Sequence, residues 1–103
     1  MPKTYHKRGN RDRNEKLITG YLRRANVRHQ LLPPGFGADI LLFIRPMYLI
    51  EVKNPDVPKS ERGLTETELE VKLFCDEMKI PYHVVETPEE MAAIINKWIE
   101  EGQ

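Results

Sequence analysis

Residues 37–53 read Gly-Ala-Asp-Ile-Leu-Leu-Phe-Ile-Arg-Pro-Met-Tyr-Leu-Ile-Glu-Val-Lys and carry the strongest structural signal in the sequence. Two apolar runs rich in Ile, Leu, Phe and Tyr flank Arg45-Pro46, which predicts two strands joined by a turn. If the turn centres near Arg45, Asp39 lies opposite Glu51. Side chains alternate along a strand, so Glu51 and Lys53 share one face. The hairpin therefore predicts two carboxylates and one ammonium gathered at the mouth of an apolar sheet.

The three charged side chains, Asp39, Glu51 and Lys53, need a physical reason to lie together. Charges beside a core lose hydration, and two close carboxylates repel each other. A divalent cation removes that repulsion, and oxygen ligands select a hard ion such as Mg²⁺ or Mn²⁺. The alternative interpretation is a structural ion pair between Lys53 and one of the acids at a frayed strand end.

The composition limits the class of protein. A chain of 103 residues suffices for one small domain, and 40% hydrophobic with 31% charged residues is typical of a globular protein. The single cysteine, Cys75, lies in an apolar helical pattern, which favours a buried structural thiol over a nucleophile. No segment reaches transmembrane length, and the N-terminus lacks the apolar core of a signal peptide. These features predict a soluble intracellular protein without a membrane partner.

Charge is distributed unevenly along a chain whose net charge is zero. Residues 1–31 contain nine Lys or Arg and two acids, whereas residues 64–103 contain three Lys or Arg and ten acids. A basic N-terminal third indicates an anionic partner on one side of the molecule, with nucleic acid the first candidate. The alternative is a solvated helix whose charge is offset by the acidic C-terminal helices.

The remaining sequence predicts an α/β fold, a mixed sheet flanked by helices in the order α-β-β-β-α-β-α. Residues 1–9 are polar and basic and predict a flexible arm, and residues 10–103 are predicted to form a single domain. The predicted elements are a helix over Arg11–Ala25, a strand over Val27–Leu32, the hairpin, a loop over Asn54–Gly63, a helix over Thr65–Lys79, a strand over Ile80–Glu86 and a helix from Thr87.

Two acids on the predicted helices could belong to the charged cluster. Glu15 borders the apolar stripe of the first helix and could point toward the sheet; the alternative is stabilisation of the helix N-terminus. Glu68 follows Thr65 by three residues, the spacing of a capping box in which its carboxylate bonds back to the Thr65 amide. The apolar side of this second helix is predicted to comprise Leu69, Val71, Leu73, Phe74, Cys75 and Met78.

The string Gly-Ala-Asp39, eleven intervening residues and Glu51-Val52-Lys53 resembles the PD-(D/E)xK nuclease signature. Within that superfamily the likeness is greatest to the virus-type replication-repair nuclease (VRR-NUC) domain, from about Glu15 to the helix start at 87–90. The resemblance implies a restriction-endonuclease-like core. Ala38 stands where the family usually has Pro, and Glu68 where it usually has Gln, so Glu68 either adds a ligand or caps its helix. Archaeal junction resolvases have a similar core.

The resemblance implies a metal-dependent DNA endonuclease with a defined site. Its catalytic residues would be Glu15, Asp39, Glu51, Lys53 and Glu68. The ligands of a Mg²⁺ or Mn²⁺ ion would be Asp39, Glu51 and the Val52 carbonyl, with Glu15 as a further candidate. Apart from the resemblance, the candidate contacts to the phosphate backbone are the basic residues Arg11, Arg13, Lys16 and Lys59. Stand-alone members are similar to symmetric dimers acting on four-way (Holliday) junctions, so the expected partners are branched DNA and a second copy. A phage origin would place the protein in the host cytoplasm.

Two other functions stay open at the level of sequence. A catalytically silent DNA-binding or assembly subunit could keep the nuclease fold, although it has no chemical reason to retain Asp39, Glu51 and Lys53 together. A small endonuclease acting on RNA could use the same core.

Overall fold

Over the residues that the structure describes, the chain folds into a small α/β structure with a four-stranded mixed sheet and three helices. The computed structural model describes the backbone of residues 2–58 and 63–102, and side chains from Arg13 onward. The elements are α1 (Pro2–Arg24), β1 (His29–Leu31), β2 (Ile40–Leu42), β3 (Tyr48–Val52), α2 (Glu66–Met78), β4 (Tyr82–Val85) and α3 (Pro88–Glu100). This order confirms the predicted α-β-β-β-α-β-α succession, with strands a few residues shorter than predicted.

The first helix is longer than the sequence predicts. It begins at Pro2, so the predicted start near Arg11 is wrong. A single glycine such as Gly9 costs a helix only about 1 kcal/mol, which an adjoining stable helix can absorb as it propagates. The side chains of residues 1–12, including Arg11, lie outside the described part of the chain. The flexible basic arm and the domain boundary at residue 10 therefore stay predictions.

The sheet has the strand order β1-β2-β3-β4. The first three strands are antiparallel, and β4 joins β3 in parallel. In the β2–β3 hairpin Ile40 pairs with Ile50 and Leu42 with Tyr48, which centres the turn at Arg45 and confirms the predicted register. One further step along this ladder brings Asp39 opposite Glu51.

The two faces of the sheet are covered differently. On one face α1 and α3 pack on a core that includes Ile18, Leu22, Ile50, Val52 and Met91, all fully buried or nearly so. On the other face, α2 is the one described helix, and it packs over a smaller cluster whose buried members are Ala38, Leu49, Cys75 and Tyr82. Because side chains alternate along a strand, Glu51 shares the α2 face with Leu49. The predicted charged cluster therefore lies on the less covered side of the sheet.

The orientation of α2 differs from the predicted one. The side chains of Leu69, Leu73, Phe74 and Met78 are exposed, so most of the predicted apolar side is wrong. The helix instead turns Glu68, Val71 and Cys75 toward the sheet, and the thiol of Cys75 is buried as predicted. The reason is that Glu68 has an ion-pair partner, Lys53, beneath the helix. A carboxylate with such a partner can occupy a buried position that a pattern of apolar residues would not assign to it.

Gly37 fixes how closely α2 approaches the loop before β2. Its φ is +103°, and a Cβ built on it would lie 2.5 Å from Val71 Cγ2 and 3.1 Å from the Thr67 carbonyl oxygen. Gly37→Ala is therefore expected to lower the free energy of unfolding by about 2–4 kcal/mol, from backbone strain and overpacking together. Urea denaturation followed by circular dichroism measures the loss.

Gly35 supplies the control for this prediction. It has a similar φ of +86°, but a Cβ there would have no heavy atom within 4 Å. Gly35→Ala should therefore lose only the strain component, about 1–2 kcal/mol. Equal losses at the two positions would contradict the close approach of α2.

Candidate metal centre

The candidate site lies where β3 leaves the sheet. Asp39 is held there by two hydrogen bonds: its amide donates to the Ile50 carbonyl, and its Oδ2 accepts from the Val52 amide, both at 2.8 Å. Within a strand the N–H and C=O of one residue point toward the same neighbour. The Val52 carbonyl group therefore points to the same side of β3 as the Val52 amide, the side on which the Asp39 carboxylate lies.

The Glu51 carboxylate is buried beside this edge, with only 1% of the residue exposed. Its Oε2 lies 3.2 Å from Lys53 Nζ. Burial, together with the charges of Asp39 and Glu68, raises the pKa of Glu51 from 4.5 to about 8, although the Lys53 ammonium acts in the opposite direction. Without a bound cation, the Glu51 carboxyl group is therefore protonated at neutral pH.

Glu68 caps α2, as the capping-box spacing predicts, and also pairs with Lys53, whereas its role as a metal ligand stays a prediction. Its Oε1 accepts hydrogen bonds from the Thr65 amide at 2.9 Å and from Lys53 Nζ at 2.8 Å. The Thr65 hydroxyl accepts from the Glu68 amide in return, which completes the predicted capping box. Burial raises the pKa of Glu68, but the bonds from Lys53 and Thr65 outweigh it and leave the pKa lowered. Glu68 thus stays ionised and holds the Lys53 ammonium against α2.

Lys53 is the centre of this network. Burial lowers its pKa, yet the hydrogen bond that Lys53 donates to Glu68 and the charges of Glu51 and Glu68 outweigh that effect and raise the pKa. Lys53 is therefore a permanent cation at neutral pH. In this state the ammonium can supply positive charge and donate hydrogen bonds.

An open cavity of about 220 Å³ gives access to the cluster. Its lining includes the carboxylates of Asp39, Glu51 and Glu68 and the two threonines at the start of α2, Thr65 and Thr67. The loop before Asp39 also contributes to the lining, through Pro33, Pro34, Gly35, Gly37 and Ala38. The cavity is large enough for a hydrated cation and a phosphate oxygen. Because it is open, it also gives the buried carboxylates a route to solvent.

Asn14 is a structural part of this site that the sequence did not indicate. Its Nδ2 donates to the Lys53 carbonyl at 2.8 Å and to the Glu86 carbonyl at 3.1 Å, so α1 ties together the ends of β3 and β4. A lone Asn beside Glu15 on a polar stretch of helix carries no signal for such a bridge. It becomes visible only when α1 is placed across both strand ends.

For the other predicted site residues that it describes, the structure shows how far the side chain is exposed. Glu15 is half-buried next to Asn14, and its part in the cluster stays a prediction. Arg13 and Lys16 are exposed on α1, as a phosphate contact requires. Lys59 and the side chain of Arg11 lie outside the described residues. The phosphate contacts expected of these two residues therefore stay predictions.

Asn14→Ala is expected to destabilise the protein by about 1–3 kcal/mol, because it removes both donors to two partly buried carbonyl groups. Urea unfolding measures the change. Asn96→Ala removes the same amide from an exposed position of α3 and should change the free energy of unfolding by less than about 0.5 kcal/mol. An Asn14→Ala loss as small as that of Asn96→Ala would show that the bridge contributes nothing.

The donor set fits a hard divalent cation. The predicted ligands would supply carboxylate oxygens from Asp39 and Glu51 and a carbonyl oxygen from Val52, the ligand types that Mg²⁺ and Mn²⁺ prefer. Among the described residues, no three His, Cys, Asp or Glu side chains are arranged around one point as ligands. The predicted set does not need three, since its third protein ligand is backbone and water completes the shell of such ions.

Comparison with models of protein families, with curated proteins and with solved structures finds no significant match to this chain. Over the part of the chain that the structure describes, none of the helices combines the length and the apolar character needed to cross a bilayer.

Proposed function

We propose that this protein is a metal-dependent DNA endonuclease of the VRR-NUC type, with a restriction-endonuclease-like core. One observation carries the proposal: Asp39, Glu51 and Lys53 meet at the end of one buried hairpin, beside a cavity open to solvent. The element order and the parallel pairing of β4 with β3 agree with such a core. An ion pair needed only for stability would not require a second, buried carboxylate next to it.

Each residue has a distinct task in this proposal. A bound Mg²⁺ or Mn²⁺ would supply a water of lowered pKa and neutralise charge on the attacked phosphate. Asp39, ionised Glu51 and the Val52 carbonyl would hold that ion. Lys53 donates hydrogen bonds to the phosphate oxygens as negative charge develops on them. Glu68 keeps the Lys53 ammonium charged and in place.

The proposed substrate is branched DNA, cut by a homodimer at paired positions. Two identical sites related by a two-fold axis suit a substrate that is itself two-fold, as a four-way junction is. Exposed Arg13 and Lys16 on α1 would contact phosphates and position the DNA without reading its sequence.

The test is a panel of end-labelled flap, splayed, duplex and four-way DNA substrates with Mg²⁺, Mn²⁺ or EDTA, together with an RNA hairpin. Nicking is expected only with metal and most rapidly on the four-way DNA, by a species of dimer mass in light scattering. Cleavage of no DNA in either metal, or equal cleavage in EDTA, would contradict the proposal. Preferential cleavage of the RNA hairpin would show that the nuclease acts on RNA in preference to DNA.

A catalytically silent DNA-binding subunit is the second candidate, and one observation favours it. Glu68 binds the Lys53 ammonium at 2.8 Å, so a phosphate must compete with a carboxylate for that cation. Calorimetry separates the two functions, because an active site should bind Mn²⁺ and lose that binding in Asp39→Asn. Wild-type protein that binds no Mn²⁺ but still binds DNA would support the silent subunit.

A further inference from the structure

A second open groove lies at the end of the sheet away from the carboxylates. It has a volume of about 830 Å³ and is lined by Arg23, Asn26, Val27, Arg28, His29 and Phe43. We call these six residues the basic groove. None of the described residues that line it is acidic, although acids are as numerous as Lys and Arg in the whole chain.

The backbone brings the cations and the aromatic ring of the groove together. Arg23 stands in the last turn of α1, and Asn26 turns the chain with a φ of +63°. The Phe43 amide donates to the Arg28 carbonyl at 2.9 Å, which extends the β1–β2 ladder by one pair. Residues paired across a ladder lie side by side on one face. Arg28 and Phe43 are therefore neighbours.

The groove residues are available to a ligand. Within the residues that the structure describes, neither Arg23 nor Arg28 forms an ion pair, whereas Lys53 and Lys72 both do. Both arginines are exposed, and Phe43 is 50% exposed. Exposed guanidinium groups beside an exposed aromatic ring match a polynucleotide strand, whose phosphates bind Arg and whose bases stack on aromatic side chains.

We propose that the basic groove binds an unpaired stretch of a DNA strand. Arg23 and Arg28 contact its phosphates, and Phe43 stacks on one base. The choice of DNA rests on the proposed function, but the binding itself requires neither a metal ion nor Asp39, Glu51 and Lys53. A duplex has no exposed base face to offer Phe43, so the groove distinguishes unpaired from paired DNA.

The position of the groove relates it to the carboxylate site. Asp39 and Phe43 flank β2, four residues and about 13 Å apart. The bond from the Leu32 amide to the Asp39 carbonyl and that from the Phe43 amide to the Arg28 carbonyl keep both residues in the same ladder. Their side chains thus leave the same face of the sheet. A strand held at Phe43 can continue along this face toward Asp39, so the groove and the carboxylate site can contact the same DNA molecule.

The experiment measures fluorescence anisotropy of a labelled oligothymidylate of about ten nucleotides, a length within the usual range of a single-strand site, in EDTA. Phe43→Leu should weaken binding at least about fivefold, as expected for the loss of one stacked base. The double variant Arg23→Ala/Arg28→Ala should reduce the slope of log K against log salt by about 1.4, the value for two phosphate contacts on a single strand.

Matched controls isolate the groove. Arg24→Ala removes the same charge from the same turn of α1, and Phe74→Leu makes the same change at an exposed position of α2; neither residue lines the groove. Both controls should bind the oligonucleotide as the wild type does. Loss in the controls equal to that in the groove variants would overturn the proposal, as would equal affinity for an abasic strand, for oligouridylate or for polyglutamate.

The groove and the nuclease can fail separately. Asp39→Asn should bind the oligothymidylate normally in EDTA, which supports a groove independent of the carboxylate site. If the groove variants lose oligonucleotide binding while no substrate in the panel is cut, the result supports the groove proposal and contradicts the nuclease proposal. If splayed DNA is cut but the groove variants bind the oligonucleotide normally, the result supports the nuclease proposal and contradicts the groove proposal.

Discussion

Asp39→Asn and Lys53→Met are each expected to lower the rate of metal-dependent DNA nicking by about a hundredfold to a thousandfold, the usual cost of removing a group that stabilises a transition state. Asp39→Asn keeps an oxygen that can accept from the Val52 amide but removes the charge that an ion would bind. Lys53→Met keeps most of the aliphatic chain and removes the ammonium. Single-turnover cleavage of the best substrate, with Mg²⁺ in excess, measures both rates.

Lys72 and Asp76 provide matched controls for these variants. They form an exposed ion pair at 3.3 Å on α2, away from the cavity. Lys72→Met and Asp76→Asn make the same chemical changes and should leave the nicking rate near that of the wild type. Persistent cleavage in both Asp39→Asn and Lys53→Met would end the nuclease proposal.

Lys53→Met also tests how the network is held together. Without the ammonium, the Glu68 carboxylate loses its partner beside a buried Glu51. Removal of one partner of a buried pair commonly costs about 3–5 kcal/mol, and the partial exposure of Lys53 reduces that figure. Circular dichroism and urea denaturation must therefore accompany the kinetics. A folded but inactive Lys53→Met protein separates the loss of chemistry from the loss of structure.

The hairpin was predictable because its information is local. Two apolar runs and a turn at Arg45-Pro46 fix the register, and the register alone brings Asp39 toward Glu51. The capping box at Thr65 and Glu68 is equally local, since it depends on a spacing of three residues. In both cases the interacting residues are close in sequence or related by a single turn.

The orientation of α2 and the Asn14 bridge were not predictable in the same way. A helical pattern ranks positions by apolar character, and Glu68 becomes a buried position only because Lys53, from another element, neutralises it. The two carbonyl groups that accept hydrogen bonds from Asn14 belong to Lys53, 39 positions away in the sequence, and to Glu86, 72 positions away. The basic groove likewise depends on the β1–β2 register, which the Pro/Gly loop between these strands leaves undetermined in the sequence.

Glu51 should make the stability of the metal-free protein fall as the pH rises from about 5 to 8. Its pKa in the folded state is raised from 4.5 to about 8, so the folded protein holds a proton that the unfolded chain releases over this range. Stability from such a group is complete below pH 4.5 and is lost as the pH approaches 8. At about 1.4 kcal/mol for each unit of pKa, the loss is about 5 kcal/mol at most.

Other groups act elsewhere or in the opposite sense. The lowered pKa of Glu68 matters only in acid, where its stabilisation is lost as it gains a proton. The raised pKa of Lys53 affects stability only in strong base. Burial lowers the pKa of His83, so His83 makes stability rise with pH near neutrality and partly masks Glu51. The difference between the wild type and Glu51→Gln, which does not titrate, therefore isolates Glu51.

Metal should reverse this dependence, because the ion binds the ionised form of Glu51 and competes with its proton. Mn²⁺ at a hundred times its dissociation constant stabilises the folded state by about 2.7 kcal/mol. The rise in Tm on adding Mn²⁺ should therefore be larger at pH 8 than at pH 5.5, absent in Glu51→Gln, and normal in the control Glu70→Gln, an exposed position of α2. Scanning calorimetry across this pH range measures all three proteins. A metal-free wild type whose stability changes with pH as that of Glu51→Gln does would show that Glu51 is ionised without metal, and a Tm unmoved by Mn²⁺ at pH 8 would remove the ion from the site.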